Sequence, residues 1–195
     1  MTVSETRQRG PVAPEHAVRV QLSWRIVPAP EPIGALTVAV SEVGLCLVGF
    51  GAVPERAAAA AGRLGAEPVE DSAATETAAA QLGEYLSGAR RAFDLPLDWR
   101  LTHGTQRTVL RALFAHVPFG ATTTYAELAA LSGAYEGHGY TAARGVGSIM
   151  GSNPIPVVVP CHRVMAAGGL GGFGGGRATK EWLLAHEGVL APTLF

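Results

Sequence analysis

The apolar pattern of this chain changes period near residue 100, and that change limits the fold more than any other feature of the 195 residues. Before it, short β-branched and apolar runs alternate with breaks rich in Pro and Gly, the pattern of strands. Val18 to Val27 and Ala35 to Val40 are two such runs. Pro28-Ala29-Pro30-Glu31-Pro32 separates them, and Gly34 marks a further turn. Gly44 to Phe50 (GLCLVGF) reads as a buried strand, with Cys46 as a small buried hydrophobe at its middle. Residues 54–64 predict a helix, 65–75 a loop, and Thr75 to Ser87 an amphipathic helix with Leu82, Tyr85 and Leu86 at helical spacing. Phe93 to Trp99 is extended and holds a Pro, which suits an edge or a linker.

After residue 100 the period is helical. Arg107 to Val117 carries Val109, Leu110, Leu113 and Phe114 on one stripe, and Pro118-Phe119-Gly120 ends it. Thr124 followed by Glu127 is a capping box that opens a short helix to about Leu131, where Ser132-Gly133 stops it. Thr141 can cap a second helix from Ala142 to about Gly151. Two short helices across a turn make a helix-turn-helix candidate, with a turn longer than the standard motif has. Pro154 to Pro160 (PIPVVVP) reads as a short buried strand that delivers Cys161 at its end, and Ala178 to about His186 as a closing helix. The expected architecture is a disordered arm over 1–17, an α/β module with antiparallel strands over 18–100, and a mostly helical module over 101–195.

Composition narrows the function classes. The chain is 48% apolar and 16% charged, enough to bury a core. No apolar run reaches the ~20 residues of a membrane helix, and the first twenty residues hold no apolar stretch, so no secretory signal is expected. Two distant cysteines, Cys46 and Cys161, fit a reduced, cytoplasmic protein with free thiols. Residues 1–100 carry nine Arg against twelve acidic residues. Residues 101–195 carry five Arg and one Lys against four Glu, so the second half permits a small phosphate-facing surface. The first half has no Cys or His cluster, so no metal is expected there, and nothing calls for a cofactor. Gly169-Leu170-Gly171-Gly172-Phe173-Gly174 matches a dinucleotide-binding glycine pattern in form, but the chain after it is too short for the second strand and its acidic residue.

The chemistry centres on Pro160-Cys161-His162-Arg163-Val164. A thiol attacks carbon as thiolate and so needs a base or a positive charge nearby. His162 is adjacent in sequence, although neighbours on a strand point to opposite faces. A carboxylate can orient the imidazole, and Glu187 is the best placed by order. On the residues alone, a reactive thiol competes with a buried Cys beside a surface His.

Asn153 to Val164 (NPIPVVVPCHRV) closely resembles the active-site signature of the O6-alkylguanine-DNA alkyltransferase family. Pro118-Phe119-Gly120 with Thr124-Tyr125, the segment Ala142 to Gly147 (AARGVG), and Lys180 to Gly188 (KEWLLAHEG) are similar to its other motifs. The first half is similar mainly through Pro32 to Thr37 and Gly83 to Leu86. The resemblance implies a ribonuclease-H-like N-terminal module and a winged-helix-like C-terminal one. It implies irreversible transfer of the alkyl group from O6-alkylguanine, and from O4-alkylthymine, in double-stranded DNA to Cys161, by a monomer. His162 would be the base through a bridging water, Glu187 its support, Asn153 a brace for the turn, and Tyr125 an aid to flipping and protonating the guanine. Arg144 would fill the gap left in the duplex, with Thr141, Ala142 and Gly147 on the same DNA-facing helix. Met150, Pro156, Val164, Phe173 and Gly174 would line the substrate pocket.

The chain departs from the family at three places. Ala134 to Tyr140 adds about five residues before Arg144, the loop after Cys161 is about one residue short, and Phe173 and Gly174 stand where Tyr and Ser are usual. Two other readings share the residues. A lesion sensor with the same fold would lack the acceptor cysteine, and Cys161 is present. A thiol hydrolase needs an oxyanion hole, for which the sequence has no clear candidate.

Overall fold

Three strand-like runs pair with their sequence neighbours, as short loops favour. β1 (Gln21–Pro28), β2 (Ala35–Val40) and β3 (Leu45–Phe50) form an antiparallel meander. The computed structural model describes residues 20–135 and 139–191. The expected arm over 1–17 and the middle of the Ala134 to Tyr140 segment lie outside the described residues.

The turn between β2 and β3 depends on Gly44. Its φ is +149°, and a Cβ there would stand 2.1 Å from the carbonyl oxygen of Pro96. That close approach lets the extended segment after Phe93 run beside β3. Leu45 N donates to Pro96 O, and Asp98 N donates to Leu45 O, each at 2.9 Å.

α1 (Pro54–Leu64) starts with a Pro in its first turn and ends at Gly65 in the left-handed conformation, the usual asymmetry of helix ends. It leads into β4 (Glu67–Glu70), which pairs parallel with β1. The sheet order is β3-β2-β1-β4, so the sheet is mixed rather than wholly antiparallel, and part of the expected loop over 65–75 is its fourth strand. Glu67-Pro68-Val69-Glu70 has no apolar alternation to announce a strand. An edge strand is held by backbone hydrogen bonds on one side and needs little side-chain burial.

One sheet face packs on Ala57, Ala60 and Ala61 of α1, against Leu22, Ala39 and Cys46. Small side chains let that helix sit close. The other face packs Leu36, Val38 and Val48 against Leu82 and Tyr85 of α2 (Glu76–Leu86). The same core continues without a break into the C-terminal half, through Val109, Leu110 and Leu113 of α3 (Gly104–His116).

The C-terminal half packs α3, α4 (Tyr125–Ser132) and α5 (Gly139–Gly151) on one another. The capping box closes in both directions. Thr124 Oγ1 accepts from Glu127 N at 3.2 Å, and Glu127 Oε2 accepts from Thr124 N at 2.7 Å. α5 begins before Thr141, so Thr141 lies in its first turn rather than at its cap. Ala142, Val146 and Ile149 of that helix pack into the core. A two-residue parallel ladder joins β5 (Thr123–Thr124) to β6 (Val164–Met165), and α6 (Arg177–His186) closes the chain. Among the described residues no helix is long and apolar enough to cross a membrane.

Gly44→Ala should lower unfolding stability by about 2–4 kcal/mol, because strain at positive φ adds to a backbone clash. Urea titration of the variant against the parent measures it.

Candidate active site

The segment before the cysteine is a compact turn, not the strand expected from its apolar run. Pro154, Pro156 and Pro160 have no N–H to give to a ladder, and a short apolar run does not distinguish strand from turn by itself. Val157 has a φ of +73°, a strained position for a β-branched residue. Asn153 holds the turn from inside. Its Nδ2 donates to Val159 O at 2.8 Å, and its Oδ1 accepts from Ile155 N at 3.0 Å. Val48 N of β3 donates to Pro154 O at 2.9 Å, which ties the turn to the N-terminal sheet.

A 3-10 turn follows over Cys161–Arg163. It removes the strand alternation that would have sent Cys161 and His162 to opposite faces. Cys161 is 4%, His162 0% and Arg163 6% exposed, so all three side chains are interior.

Burial pushes the Cys161 thiol up to about 11. A hydrogen bond from Asn153 and the charge of Lys180 act in the opposite direction. Lys180 is fully buried on α6, and its Nζ donates to Val164 O at 2.6 Å and to Leu170 O. Burial draws its ammonium down to about 8. The resting thiol is therefore neutral and shielded, with a buried cation close by.

His162 meets Glu187, the residue that caps α6, through Nε2···Oε1 at 2.7 Å. Burial holds the imidazole below its ordinary proton affinity, and Glu187 opposes that. With Nε2 bound to the carboxylate, the neutral ring carries its proton on Nε2 and leaves Nδ1 as the acceptor. Nδ1 has no protein partner among the described residues.

Burial would raise the Glu187 carboxyl, but hydrogen bonds from His162 and Arg163 hold it well below the carboxylate range. Arg163 Nε donates to Oε2 and Nη2 to Oε1, each at 2.9 Å, while Nη1 donates to Val117 O at 2.7 Å. Gly120 N donates to Oε2 at 3.2 Å. The phenol of Tyr85 donates to Oε1 at 2.5 Å.

Tyr125 opens α4 and is half-buried. Its hydroxyl lies against the glycine loop: a Cβ on Gly171 would stand 2.6 Å from it, and the Gly172 amide bonds to it. Met150, Pro156 and Val164 are buried, and Gly174 is exposed. Phe173 stands edge-on to His162 at 6.4 Å and to Phe50 of β3 at 5.3 Å. Arg144 and Thr141 are exposed on α5 and Gly147 is half-buried. Ala142 faces the core, so any contact it makes with a partner runs through its backbone. The neighbouring Gly145 faces Tyr135 of the same half, since a Cβ there would stand 2.4 Å from the Tyr135 hydroxyl.

Sequence reasoning did not assign Arg163, Tyr85, Lys180 or Phe50. Lys180 had a signal, since a lysine three and four residues before Leu183 and Leu184 sits on an apolar helix face. Tyr85 had none, because its partner is 102 residues away.

These features define a protein with a shielded thiol next in sequence to a buried histidine–carboxylate pair, carried on a helical half that packs against a mixed sheet. Residues 29–99 match the family model for the 6-O-methylguanine DNA methyltransferase ribonuclease-like domain, and residues 104–189 match that for its DNA binding domain. The chain belongs to this family. A methylated-DNA–protein-cysteine methyltransferase of Mycolicibacterium paratuberculosis is 45% identical over 130 residues, covering 65% of this chain and 74% of that protein. The mouse protein of the same name is 52% identical over 85 residues. That match spans 43% of this chain and only 38% of the mouse protein's length. The solved structure of Mycobacterium tuberculosis O6-methylguanine methyltransferase superposes with a TM-score of 0.68 at 35% identity, covering 88% of this chain and 96% of the other. A structure of Mycobacterium tuberculosis OGT in complex with DNA superposes equally well, at 34% identity over 86% of this chain and 94% of the other.

Stability should fall with acidification in two steps. The folded state disfavours protonated His162, so stability begins to drop below about pH 6.5, where the unfolded imidazole takes a proton. It drops further below about pH 4.3, where the unfolded Glu187 carboxyl does the same. Glu187→Gln should shrink the lower step to the part that Asp98 and the other lowered carboxyls, Glu42 and Glu127, contribute. It should cost about 3–5 kcal/mol at neutral pH, since it leaves Arg163 without its buried counter-charge. Thermal melts of both proteins from pH 8 to pH 3 check this.

Proposed function

We propose that this protein repairs O6-alkylguanine in double-stranded DNA by moving the alkyl group irreversibly onto Cys161. The observation that carries the reading is a buried thiol at the end of a strained, proline-framed turn, followed directly by His162 in its buried pair with Glu187. A duplex base cannot present its exocyclic oxygen to an interior sulfur, so the nucleotide must first be flipped, at a cost of a few kcal/mol.

His162 takes the thiol proton at Nδ1 through a bridging water, and Glu187 stabilises the imidazolium. The sulfur attacks the alkyl carbon, the carbon–O6 bond breaks, and Tyr125 protonates the leaving guanine; the proton that His162 took from the thiol then returns to Tyr125 through solvent. In the net reaction the thiol hydrogen and the alkyl group exchange places. The thioether is stable, so each molecule acts once. O4-alkylthymine offers the same exocyclic ether and is a second substrate.

Arg144 fills the place of the flipped nucleotide, and α5 lies in the minor groove with Thr141, Gly147 and the Ala142 backbone on the DNA side. Met150, Pro156, Val164, Phe173 and Gly174 surround the base and its alkyl group. Asn153 braces the turn against the approach of substrate. Residues 101–195 form the DNA-binding and acceptor unit and residues 18–100 its α/β support, working as a cytoplasmic monomer.

Intact-protein mass after incubation with a duplex bearing one O6-methylguanine tests the reading. The expected outcome is a gain of one methyl in place of one hydrogen, mapped to Cys161 and saturating at one per molecule. Cys161→Ala should show no gain while binding the duplex as the parent does. Methyl gain in that variant, or none in a reduced parent that binds the DNA, would reject the proposal.

A further inference from the structure

The proposed chemistry uses one oxygen of Glu187 to orient His162, yet that oxygen is not reserved for it. Oε1 receives the Tyr85 phenol at 2.5 Å, His162 Nε2 at 2.7 Å and Arg163 Nη2 at 2.9 Å. Tyr85 comes from α2 of the N-terminal half and reaches across to the C-terminal one. It is fully buried, and its ring is fixed by Phe93 at 5.2 Å, Phe119 at 6.1 Å and His186 at 5.5 Å. His186 Nε2 also donates to the Tyr85 carbonyl at 2.7 Å. Nothing in packing alone requires a phenol to end on this carboxylate.

Donors from three residues share the electron density of this one oxygen, Arg163 reaching it through Nε as well, at 3.2 Å. Each reduces what the oxygen offers the others, and in a dry interior that competition is not damped by water. A phenol on Oε1 therefore makes Glu187 a weaker partner for an imidazolium than it would be with His162 and Arg163 alone. Burial and the neighbouring Glu187 charge push the phenol well above its ordinary range, so it stays a neutral donor. The other ionisable groups around the pair are Arg163 beside it, Lys180 from α6 and Cys161 itself, and Tyr125 reaches Cys161 from α4.

We propose that Tyr85 is a positioning residue of this relay, the phenol through which the N-terminal domain sets how readily His162 takes a proton. It keeps the resting imidazole neutral, and so able to accept the thiol proton, while its hydrogen bond fixes the oxygen that orients the ring. The N-terminal domain thereby acts on the reaction without touching substrate. The inference rests on the reading of Cys161 and His162 as a proton-passing pair.

The test is the pH titration of the His162 ring nitrogens by NMR in the full chain, read beside the pH dependence of methyl transfer. Tyr85→Phe keeps the ring and removes only the hydroxyl. His162 should then protonate about half a pH unit to one unit higher, the size of one lost hydrogen bond. The acid limb of the transfer rate should move up by the same amount, while duplex affinity stays unchanged. 3-Fluorotyrosine placed at position 85 keeps the hydroxyl, makes it a stronger donor and should move both readings down. This second protein keeps the test open if Tyr85→Phe fails to fold. A His162 titration unchanged in the variants that fold would overturn the inference, as would an even loss of rate at every pH. The ring titration needs no substrate. Methyl transfer absent from all the proteins, with the titration still shifted, would reject the repair reading and leave this one standing.

Discussion

Glu187 receives hydrogen bonds from three segments remote from it in sequence: Tyr85 at the end of α2, Gly120 after α3, and His162 with Arg163 in the acceptor turn. A buried carboxylate is tolerable only when paired and hydrogen-bonded, because its desolvation costs several kcal/mol. That demand runs both ways. The charge needs its donors, and each donor is held in one place by the charge. α2, the Pro118-Phe119-Gly120 corner, the acceptor turn and the end of α6 are thereby fixed relative to one another. Replacing this hub with apolar residues of like volume could leave stability intact, but it would remove the orientation of the imidazole. Its value lies in specificity of arrangement more than in net energy.

The acceptor turn stores strain, and its surroundings counter it. Val157 keeps a positive φ because Asn153 bridges the turn internally and Val48 N ties it to β3. The thiol is deep and burial raises its proton affinity, which the charge of Lys180 partly offsets. Such a thiol is protected from casual oxidation and from stray electrophiles, since reactivity follows thiolate content and access. In the repair we propose, the nucleophile is spent once, so this protection is a gain. Under that reading reactivity is released when a flipped base arrives, through His162, where a permanently ionised thiol would give no such control.

The helices were legible because their signals are local. The Thr124–Glu127 box, Gly133 as a left-handed stop and the Pro at the start of α1 each act within one turn of chain. The acceptor motif was legible as a run of five residues, which carries Cys161, His162 and Arg163 together. Three things were not. β4 is an edge held by its backbone, so its side chains carry no period. The Pro154 to Pro160 run has the composition of a buried strand, and only its missing N–H groups argue otherwise. Tyr85 and Phe50 belong to the site through contacts between the two halves, and no pattern within either half encodes those.

Those two residues bear on what the N-terminal half is for. Its helix α2 supplies Tyr85 to the carboxylate, and its sheet supplies Val48 to the turn and Phe50 to the ring beside His162. Phe173 stands in the loop where the family resemblance expects Tyr, and here its ring lies edge-on to both Phe50 and the imidazole. A Cβ on Gly175 would lie 2.9 Å from both phenyl rings, so the loop comes this close only because a glycine stands there. An apolar ring in that place screens the imidazole from bulk solvent and strengthens every charge interaction beneath it. The missing hydroxyl is thus matched by a contact from the other domain, and the two halves form one site whose polar centre and apolar cover each come from both.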